Sequence, residues 1–536
     1  STNLSSLYGA ELKSCPNPKM RRLIKSMEEE GAGEYLWVVP ENTYYDNGNQ
    51  KRPQKKLIFS NWRAVPQAVS ICGSAFVEGK LDSKAKERLI QKLNLSYSVS
   101  KGSKSKWSHA FICFHPWNYL AKMNLLDLGR KSKSLEELKD KIRLLLRKEG
   151  VQIVERTKDR TLDLDTIADF LCSYEPQLVQ NTNFESIQKS DLTKKKFTED
   201  GDEHVNRFDL KNQIKLLQKT LGSRKRIFKM TSNELDFIVD LAIGGPGVTV
   251  LRSLSSLFKF DLESSEKMHE KNCLTPDGKN LIKNYSNILW FSHVVFRLYF
   301  SSTSSALVIN SWGKNKNSLR SDWRRILQYS VDNHLQQVID EYFYLLSGDN
   351  FEEFSSLSLI EKKYEKIKHL LFQACSAFSI RAGSPQIKTW KKNGSGSPDS
   401  IGVRRHYVQA YVDGSGDEEE SGIKKEHLRD AFNSPFWPFI LITTSVGQEG
   451  LDFHRYCKEI IHWNLPSSGV AFEQREGRIQ RYMCKSVRDS ILSSIDWKNI
   501  GIKKNNLNPW EGVMQFAIDK VRTDKSELKG LRPYWS

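Results

Sequence analysis

Apolar positions divide the chain into short runs near its two ends and helical patterns between them. Residues 439–443 and 459–463 are apolar runs of strand length, and each is followed by polar, glycine or proline residues. Residues 57–59 form a similar run near the amino terminus, and residues 407–412 form a fourth. Short apolar runs bounded by turn residues are typical of buried strands. The pattern therefore predicts an α/β protein whose sheet draws strands from both ends of the chain.

The residues between these runs have helical periodicity. Pro18 lies in the first turn of a predicted amphipathic helix at 17–30, ahead of the first strand. A helix at 427–432 is predicted to lead into the run at 439–443. Apolar positions recur with helical spacing in five further segments, 135–148, 233–257, 282–300, 319–346 and 357–379. These patterns predict a large, mainly helical region between the first strand and the others.

The spacing of the predicted strands indicates a discontinuous domain. In a compact parallel sheet, the next strand should follow within ~30 residues, the size of one β-α-β crossover. Here residues 71–404 intervene. We therefore divide the chain into a leading helix and linker, a sheet domain in two pieces, a mainly helical insertion and a tail, at residues 1–54, 55–70 with 405–500, 71–404 and 501–536.

Two polar clusters follow the predicted strands near the carboxyl terminus. A glycine-bearing loop at 444–450 follows the first strand, and the sequence QREGRIQR at 474–481 follows the second. A strand, a glycine-bearing loop, a strand and an arginine-rich helix start suit a sheet whose strand ends meet a phosphate. Arg478 and Arg481 are three positions apart and are expected to share one helix face. Guanidinium groups placed there could stabilise the charge of a transferring phosphoryl group.

The segments TTSVGQEGLD (443–452) and QREGRIQR (474–481) resemble the last two signature motifs of superfamily 2 helicases and of the related Swi/Snf-type DNA translocases. The run IFS (58–60) resembles the motif that opens their second RecA-like domain. Most of the chain also resembles large bacterial helicase-like proteins, some found near defence or restriction genes. The resemblance implies a RecA-like parallel sheet with helices on both faces, interrupted by the helical insertion. It implies the carboxyl-terminal half of an ATP-dependent helicase or DNA translocase.

The resemblance also implies a role for each matching residue. The arginine fingers would be Arg478 and Arg481. The residues implied to face the same nucleotide are Gln474, Arg475, Gly450 and Asp452, and Asp452 would orient an arginine or the ribose. The residues implied to contact the nucleic-acid backbone are Ser60, Asn61, Thr444 and Ser445. No metal ligand is implied in this chain.

Two nucleotide-binding elements are absent from the sequence. The chain contains neither a Gly-x-x-x-x-Gly-Lys-Ser/Thr phosphate loop nor an Asp-Glu box after a strand. We expect ATP and Mg²⁺ to be held mainly by a first RecA-like domain, in cis or as a separate subunit. We expect this chain, which begins at Ser1, to be a fragment or split subunit that does not hydrolyse ATP usefully alone. The alternative is a non-catalytic nucleic-acid-binding or scaffold subunit that retains a helicase fold.

Composition favours a polyanionic partner. The chain has 82 Lys and Arg against 64 Asp and Glu, a formal charge of +18, which suits nucleic acid. DNA is favoured because Gln448-Glu449-Gly450 departs from the small-Arg-Gly run of RNA helicases. The eight cysteines form no Cys-x-x-Cys pair, so we expect buried thiols in a cytoplasmic protein. No segment has the pattern of a signal peptide or membrane span, and no membrane partner is expected.

Four features of the insertion could suggest further sites. The Gly-Gly-Pro-Gly cluster at 244–247 lacks the rest of a phosphate loop and predicts a turn between two helices. The acidic pair Asp340-Glu341 is predicted to lie on a solvated helix face, and residues 202–204 are predicted to be loop. The basic residues around 215–226 could form either a nucleic-acid face or a solvated surface.

Overall fold

The structure is a computed structural model of the whole chain. It describes residues 15–41, 43–46, 48, 51–81, 92–99, 105–155, 162–176, 179–180, 202–221, 227–259, 276–313, 321–348, 359–378, 386–389, 399–411, 425–444, 451–494 and 508–523. All structural statements below concern these ranges.

The strands form one four-stranded sheet and two smaller pairs. Their bounds are β1 (Lys55–Phe59), β2 (Val151–Ile153), β3 (Phe228–Met230), β4 (Gln386–Thr389), β5 (Asp399–Gly402), β6 (Val408–Tyr411), β7 (Ile440–Thr443) and β8 (Cys457–His462). The larger sheet has the order β6-β7-β1-β8, and every pairing in it is parallel. Strands β2 and β3 pair in parallel, and β4 and β5 pair antiparallel. The prediction that both ends of the chain build one parallel sheet is confirmed.

Helices account for most of the remaining described residues. Their bounds are α1 (Pro18–Glu29), α2 (Ala64–Leu81), α3 (His109–Phe114), α4 (Asn118–Ala121), α5 (Leu125–Arg130), α6 (Leu135–Lys148), α7 (Leu164–Cys172), α8 (Asp202–Thr220), α9 (Ser232–Gly244), α10 (Pro246–Phe258), α11 (Pro276–Trp290), α12 (Arg297–Ser301), α13 (Thr303–Gly313), α14 (Asp322–Asp332), α15 (Leu335–Ser347), α16 (Leu359–Phe378), α17 (Lys425–Phe432), α18 (Gly469–Glu476), α19 (Lys485–Ser493) and α20 (Pro509–Thr523). A π-helical turn, Phe291–Phe296, joins α11 to α12.

Both faces of the four-stranded sheet are covered. Successive side chains of a strand point to opposite faces, so Ile58 packs into one core while Leu57 and Phe59 pack into another. The first core includes side chains of α1 and α2, and the second includes Phe432 of α17 and Phe453. The molecule is therefore α/β, with a parallel sheet flanked by helices on both faces.

The insertion shares its core with the sheet domain. The ring centroids of Phe378 and Phe436 are 4.5 Å apart, and those of Tyr299 and Phe436 are 5.3 Å apart. Trp37, from the segment before β1, donates its indole N–H to the carbonyl of Asn333, 2.7 Å away in the insertion. The largest buried cluster runs continuously through α1, the insertion and β7. The predicted boundaries at residues 71 and 404 therefore mark no break in packing.

Local chemistry explains the helix boundaries that the sequence predicted. Asn17 caps α1, because its side chain accepts from the backbone N–H of Lys19 and Met20. Thr231 and Glu234 form a reciprocal capping box at the start of α9. Gly245 then separates α9 from α10, which begins at Pro246, as the Gly-Gly-Pro-Gly cluster predicted.

Three expectations about the insertion are wrong. Residues 202–204 belong to helix α8 rather than to a loop. The single pattern at 319–346 forms two helices, because His334 adopts a left-handed conformation with φ of 57° between α14 and α15. Asp340 and Glu341 are each only 4% exposed, so they do not lie on a solvated face. Tyr44, which donates to Asp340, and Arg488, which pairs with Glu341, come from segments distant in sequence, which local periodicity does not reveal.

A helix that spans a membrane must be both long and apolar. In the described part of the chain, no single helix meets both criteria, although α9 and α10 meet them as a pair bent by 45°. Both helices contribute to the buried core.

Candidate functional site

The carboxyl edge of the sheet brings together several residues predicted to be functional. Ser60 and Asn61 follow β1, Thr444 follows β7, and Asn464 lies two residues beyond β8. The Asn464 side-chain oxygen lies 3.2 Å from Ser60 Oγ and 3.4 Å from the backbone nitrogen of Asn61, both of which donate to it. Asn464 had no predicted role, although its position directly after a predicted strand was a signal for one.

Arg475 is a structural link at this edge. Its guanidinium donates to the Asn61 side-chain oxygen at 3.0 Å and to the Asn464 carbonyl at 3.1 Å. It also lies over the Phe59 ring, with 5.1 Å between Cζ and the ring centroid. Arg475 is only 2% exposed. The structure thus joins the ends of β1 and β8 through Arg475, rather than presenting this side chain to solvent.

The pKa of His462, the last residue of β8, is shifted by burial and by neighbouring charge. Its Nδ1 lies 3.3 Å from an Arg475 guanidinium nitrogen, and its ring stacks on Phe472 with centroids 4.4 Å apart. Desolvation, together with the positive charge of Arg475, lowers the pKa of His462, while Glu476 opposes this shift. Partial burial also lowers the pKa of Arg475. The lowered pKa of His462 disfavours a second positive charge beside Arg475.

Helix α18 is shorter than the sequence predicted. Ser468 caps its start by accepting from the Ala471 N–H, and Gly477 is the residue after its last turn. Arg478 and Arg481 therefore lie beyond the helix, and the expectation that they share one helix face is wrong. Gln474 lies within α18 and is exposed.

Arg478 and Arg481 have different surroundings. Arg478 is 9% exposed, and its guanidinium donates to the Leu451 carbonyl at 3.2 Å. Its own carbonyl accepts from the Phe453 N–H at 2.9 Å. Arg481 forms an ion pair with Asp452, with 3.1 Å between Nε and Oδ1, and the two side chains are 48% and 47% exposed. Arg478 thus stabilises the backbone after the glycine-bearing loop, whereas Arg481 reaches the surface.

Two segments run side by side from the carboxyl edge towards the amino edge of the sheet. Arg478 contacts Leu451, Arg481 contacts Asp452, and the Lys485 N–H donates to the His454 carbonyl. Along this path Arg481 and Asp452 come after Arg475, and the Asp452 carbonyl accepts from the Asn433 side chain at 2.7 Å, just after α17. Asp452 and Arg481 thus link the two segments through an ion pair.

The remaining predicted site residues are placed as follows. Thr444 is 8% exposed, and its carbonyl accepts from Thr443 Oγ1. Ser445 and Gly450 lie outside the described residues, as does most of the glycine-bearing loop. Of the basic residues around 215–226, Lys215 and Lys219 lie on α8, and Arg224 to Arg226 are not described. Within the described ranges, no group of three or more His, Cys, Asp and Glu side chains could hold a metal ion.

The candidate site therefore combines an internal network at the carboxyl edge with a surface ion pair on the segment after α18. Ser60, Asn61, Asn464 and Arg475 are linked to one another, and the ion pair of Asp452 with Arg481 is accessible from outside. Such an arrangement could present one guanidinium to an external anion while keeping the strand ends fixed. Comparisons with models of protein families, with curated proteins and with solved structures found no match to this chain.

Proposed function

We propose that this chain is the second, RecA-like motor domain of an ATP-dependent helicase or DNA translocase, which acts together with a first RecA-like domain. The proposal is supported by a parallel sheet flanked by helices and by the three motif-like segments of the sequence, of which the described residues Ser60 and Thr444 directly follow β1 and β7. The observation that carries it is the ion pair of Asp452 with the half-exposed Arg481. A guanidinium oriented by a carboxylate at a surface can contact a phosphate that another domain holds.

The described residues fit a contact to ATP rather than a site that encloses it. Arg481 and the exposed Gln474 can approach a nucleotide from one side, whereas the guanidinium groups of Arg475 and Arg478 are buried. ATP and its Mg²⁺ would be held by the first RecA-like domain. The chemistry that ATP supplies is the transfer of its γ-phosphoryl group to water.

The proposal gives the arginines different tasks. Arg481 is the residue that would stabilise charge on the phosphoryl oxygens. Arg478 is a positioning residue, because its guanidinium holds the Leu451 carbonyl next to Asp452. Arg475 keeps Asn61 and Asn464 in place at the strand ends. This division replaces the pair of equivalent fingers expected from the resemblance.

A second candidate function is a non-catalytic nucleic-acid-binding or scaffold subunit. The burial of Arg475 and Arg478 favours it, because these two guanidinium groups bond to the chain itself. In such a subunit the same arginines would stabilise a fold that no longer contacts a nucleotide.

The experiment that separates the two measures DNA-stimulated ATPase activity of the chain together with its first RecA-like domain, in cis or added separately. We expect Arg481→Ala to reduce the stimulated rate about 10³-fold or more, as for other arginine fingers. Arg147→Ala, which removes an exposed arginine of α6, is the matched control and should retain the rate. An Arg481→Ala chain with an unchanged stimulated rate would contradict the motor function and favour the scaffold.

A further inference from the structure

Helix α1 lies across the sheet with its first turn at the carboxyl edge. Lys19, in that turn, donates its side-chain N–H to the carbonyl of Trp463, the residue directly after β8. At the other end, Glu30 lies 2.7 Å from the ammonium of Lys56, near the start of β1. Helix α1 therefore runs antiparallel to β1 and β8, and its amino-terminal half lies beside the strand ends.

The charges of α1 are arranged against its helix dipole. Four cations precede its acidic end, and we call them the α1 basic face: Lys19, Arg21, Arg22 and Lys25. The acidic residues 28–30 lie at its other end, and there is neither an acid in the first turn nor a base in the last. Cations are favoured near the carboxyl end of a helix and disfavoured near its start. Charges that lower the stability of their own helix are expected where they serve a functional site.

The cations of the α1 basic face are accessible. Lys19, Arg21, Arg22 and Lys25 are all exposed. The strongest internal contact of Arg21 is to the carbonyls of Cys15 and Pro16. Lys25 has a side chain that is 76% exposed and lies 3.8 Å from Glu29, a distance and exposure at which an ion pair is weak. An anion that binds to Arg21 and Lys25 would therefore break few strong contacts within the protein.

An exposed aromatic side chain lies on the same edge. Lys19 donates to the carbonyl of Trp463, and the next residue, Asn464, accepts a hydrogen bond from Ser60. Two residues later, Trp62 is 66% exposed. Cations that follow a backbone, next to an aromatic ring on which a base can stack, are the combination used by proteins that bind single-stranded nucleic acid.

We propose that the α1 basic face and Trp62 bind a segment of single-stranded nucleic acid. The cations contact its phosphates, and the Trp62 indole stacks on one base. The inference rests on the proposed function only in taking nucleic acid as the substrate, because α1 lies outside the helicase-like motifs. It adds a phosphate-binding face on the leading helix, and it extends the contact surface from the strand ends across the flank of the sheet.

The test measures binding of a fluorescently labelled oligodeoxythymidine to the chain by anisotropy, at several salt concentrations. The double variant Arg22→Ala with Lys25→Ala should bind about 10-fold more weakly or worse at low salt. Each lost phosphate contact should reduce the slope of log K against log salt by about 0.7, the value for single strands. The matched control replaces Arg147 and Lys148, two exposed cations of α6, with Ala, and it should bind like the unaltered chain.

Trp62 is tested by a different signature. Trp62→Ala should weaken binding about 10-fold without changing the salt slope, and Trp62→Phe should restore most of the loss. The inference is overturned if Arg22→Ala with Lys25→Ala matches its control in affinity and slope, or if the unaltered chain binds no oligonucleotide. It is also overturned if Trp62→Ala has no effect. Should it fail in the first or third way while Arg481→Ala still abolishes stimulated ATPase, the motor function stands without this surface.

Discussion

Two arginine–carboxylate pairs near the end of the chain have nearly equal separations and opposite surroundings. Arg481 Nε lies 3.1 Å from Asp452, and both side chains are about half exposed. Arg488 Nε lies 3.0 Å from Glu341, with exposures of 0% and 6%. Arg488 also donates to the carbonyls of Met483 and Arg455. The first pair lies at the protein surface, and the second joins the insertion to the segment that follows Arg481.

Burial gives the two pairs different uses. A solvent-exposed pair contributes little to stability, so its members can exchange partners with a ligand at low cost. A buried pair is costly to break, because removal of one member leaves the other charged and desolvated. Through Arg488, helix α15 of the insertion is therefore linked to Met483, two residues after Arg481. The insertion helps to hold the segment that presents the exposed guanidinium.

The largest expected effect comes from breaking the buried pair. We expect Arg488→Met to lower the free energy of unfolding by about 3–5 kcal/mol, because Glu341 would remain buried without its countercharge. Chemical denaturation, monitored by circular dichroism, measures this change in the free energy of unfolding. We expect Arg481→Ala to cost less than about 1 kcal/mol in the same assay.

A second variant separates the charge from the packing. Arg488→Met combined with Glu341→Met removes both charges, and it should be more stable than Arg488→Met alone. If Arg488→Met and Arg481→Ala lower the free energy of unfolding equally, the two pairs do not differ in the way their burial implies.

The buried pair also marks the limit of what the sequence could predict. Strand β1 was predictable, because an apolar run bounded by polar residues has few alternatives. Glu341 was predicted to be solvated, since an acidic pair on a helix is usually exposed. Its partner lies 147 positions away, and nothing in the helical period indicates that distance.

The same limit applies to the candidate site. The motif-like segments identified the strand ends and the arginine-rich turn, including the neighbourhood of Asp452 and Arg481. They did not indicate that Arg475 and Arg478 are buried while Arg481 is half exposed, because burial depends on how α18 and the turn after it pack. Arg475 bonds to Asn61, which is 414 positions earlier in the chain. The ending of α18 at Glu476, before the second and third arginines, was also not predicted.

Asp340, the residue next to Glu341, is expected to make the free energy of unfolding depend on pH. Burial raises the pKa of Asp340 from 3.8 to about 6, although hydrogen bonds with Ser253, Gln336 and Tyr44 and the charge of Arg252 oppose the shift. The folded protein thus binds this proton more tightly than the unfolded chain does. Its contribution to stability is complete below about pH 4 and is lost as the pH rises through about 6.

The shift corresponds to about 3 kcal/mol, at 1.36 kcal/mol for each unit of pKa. We expect Asp340→Asn, which does not ionise, to lose this contribution to the pH dependence of the unfolding free energy. Denaturation of both proteins at a series of pH values between about 4 and 7 measures it. If the two stability curves stay parallel across that range, Asp340 does not lie in the desolvated surroundings described here.

The smallest expected effect comes from replacing one glycine in the insertion and one beside the carboxyl edge of the sheet. A Cβ on Gly247, in α10, would lie 2.1 Å from the Phe114 carbonyl oxygen at the end of α3. A Cβ on Gly469, in α18 beside the carboxyl edge, would have no atom within 4 Å. We expect Gly247→Ala to cost about 1–3 kcal/mol, because the two backbones must move apart.

Gly469→Ala should be neutral or stabilise α18 by up to about 1 kcal/mol, since Ala favours a helix over Gly. The same denaturation assay applies to both variants. If Gly247→Ala is tolerated as well as Gly469→Ala, then α10 and α3 do not approach as closely as described. The insertion would then be packed no more tightly at this point than the edge is at Gly469.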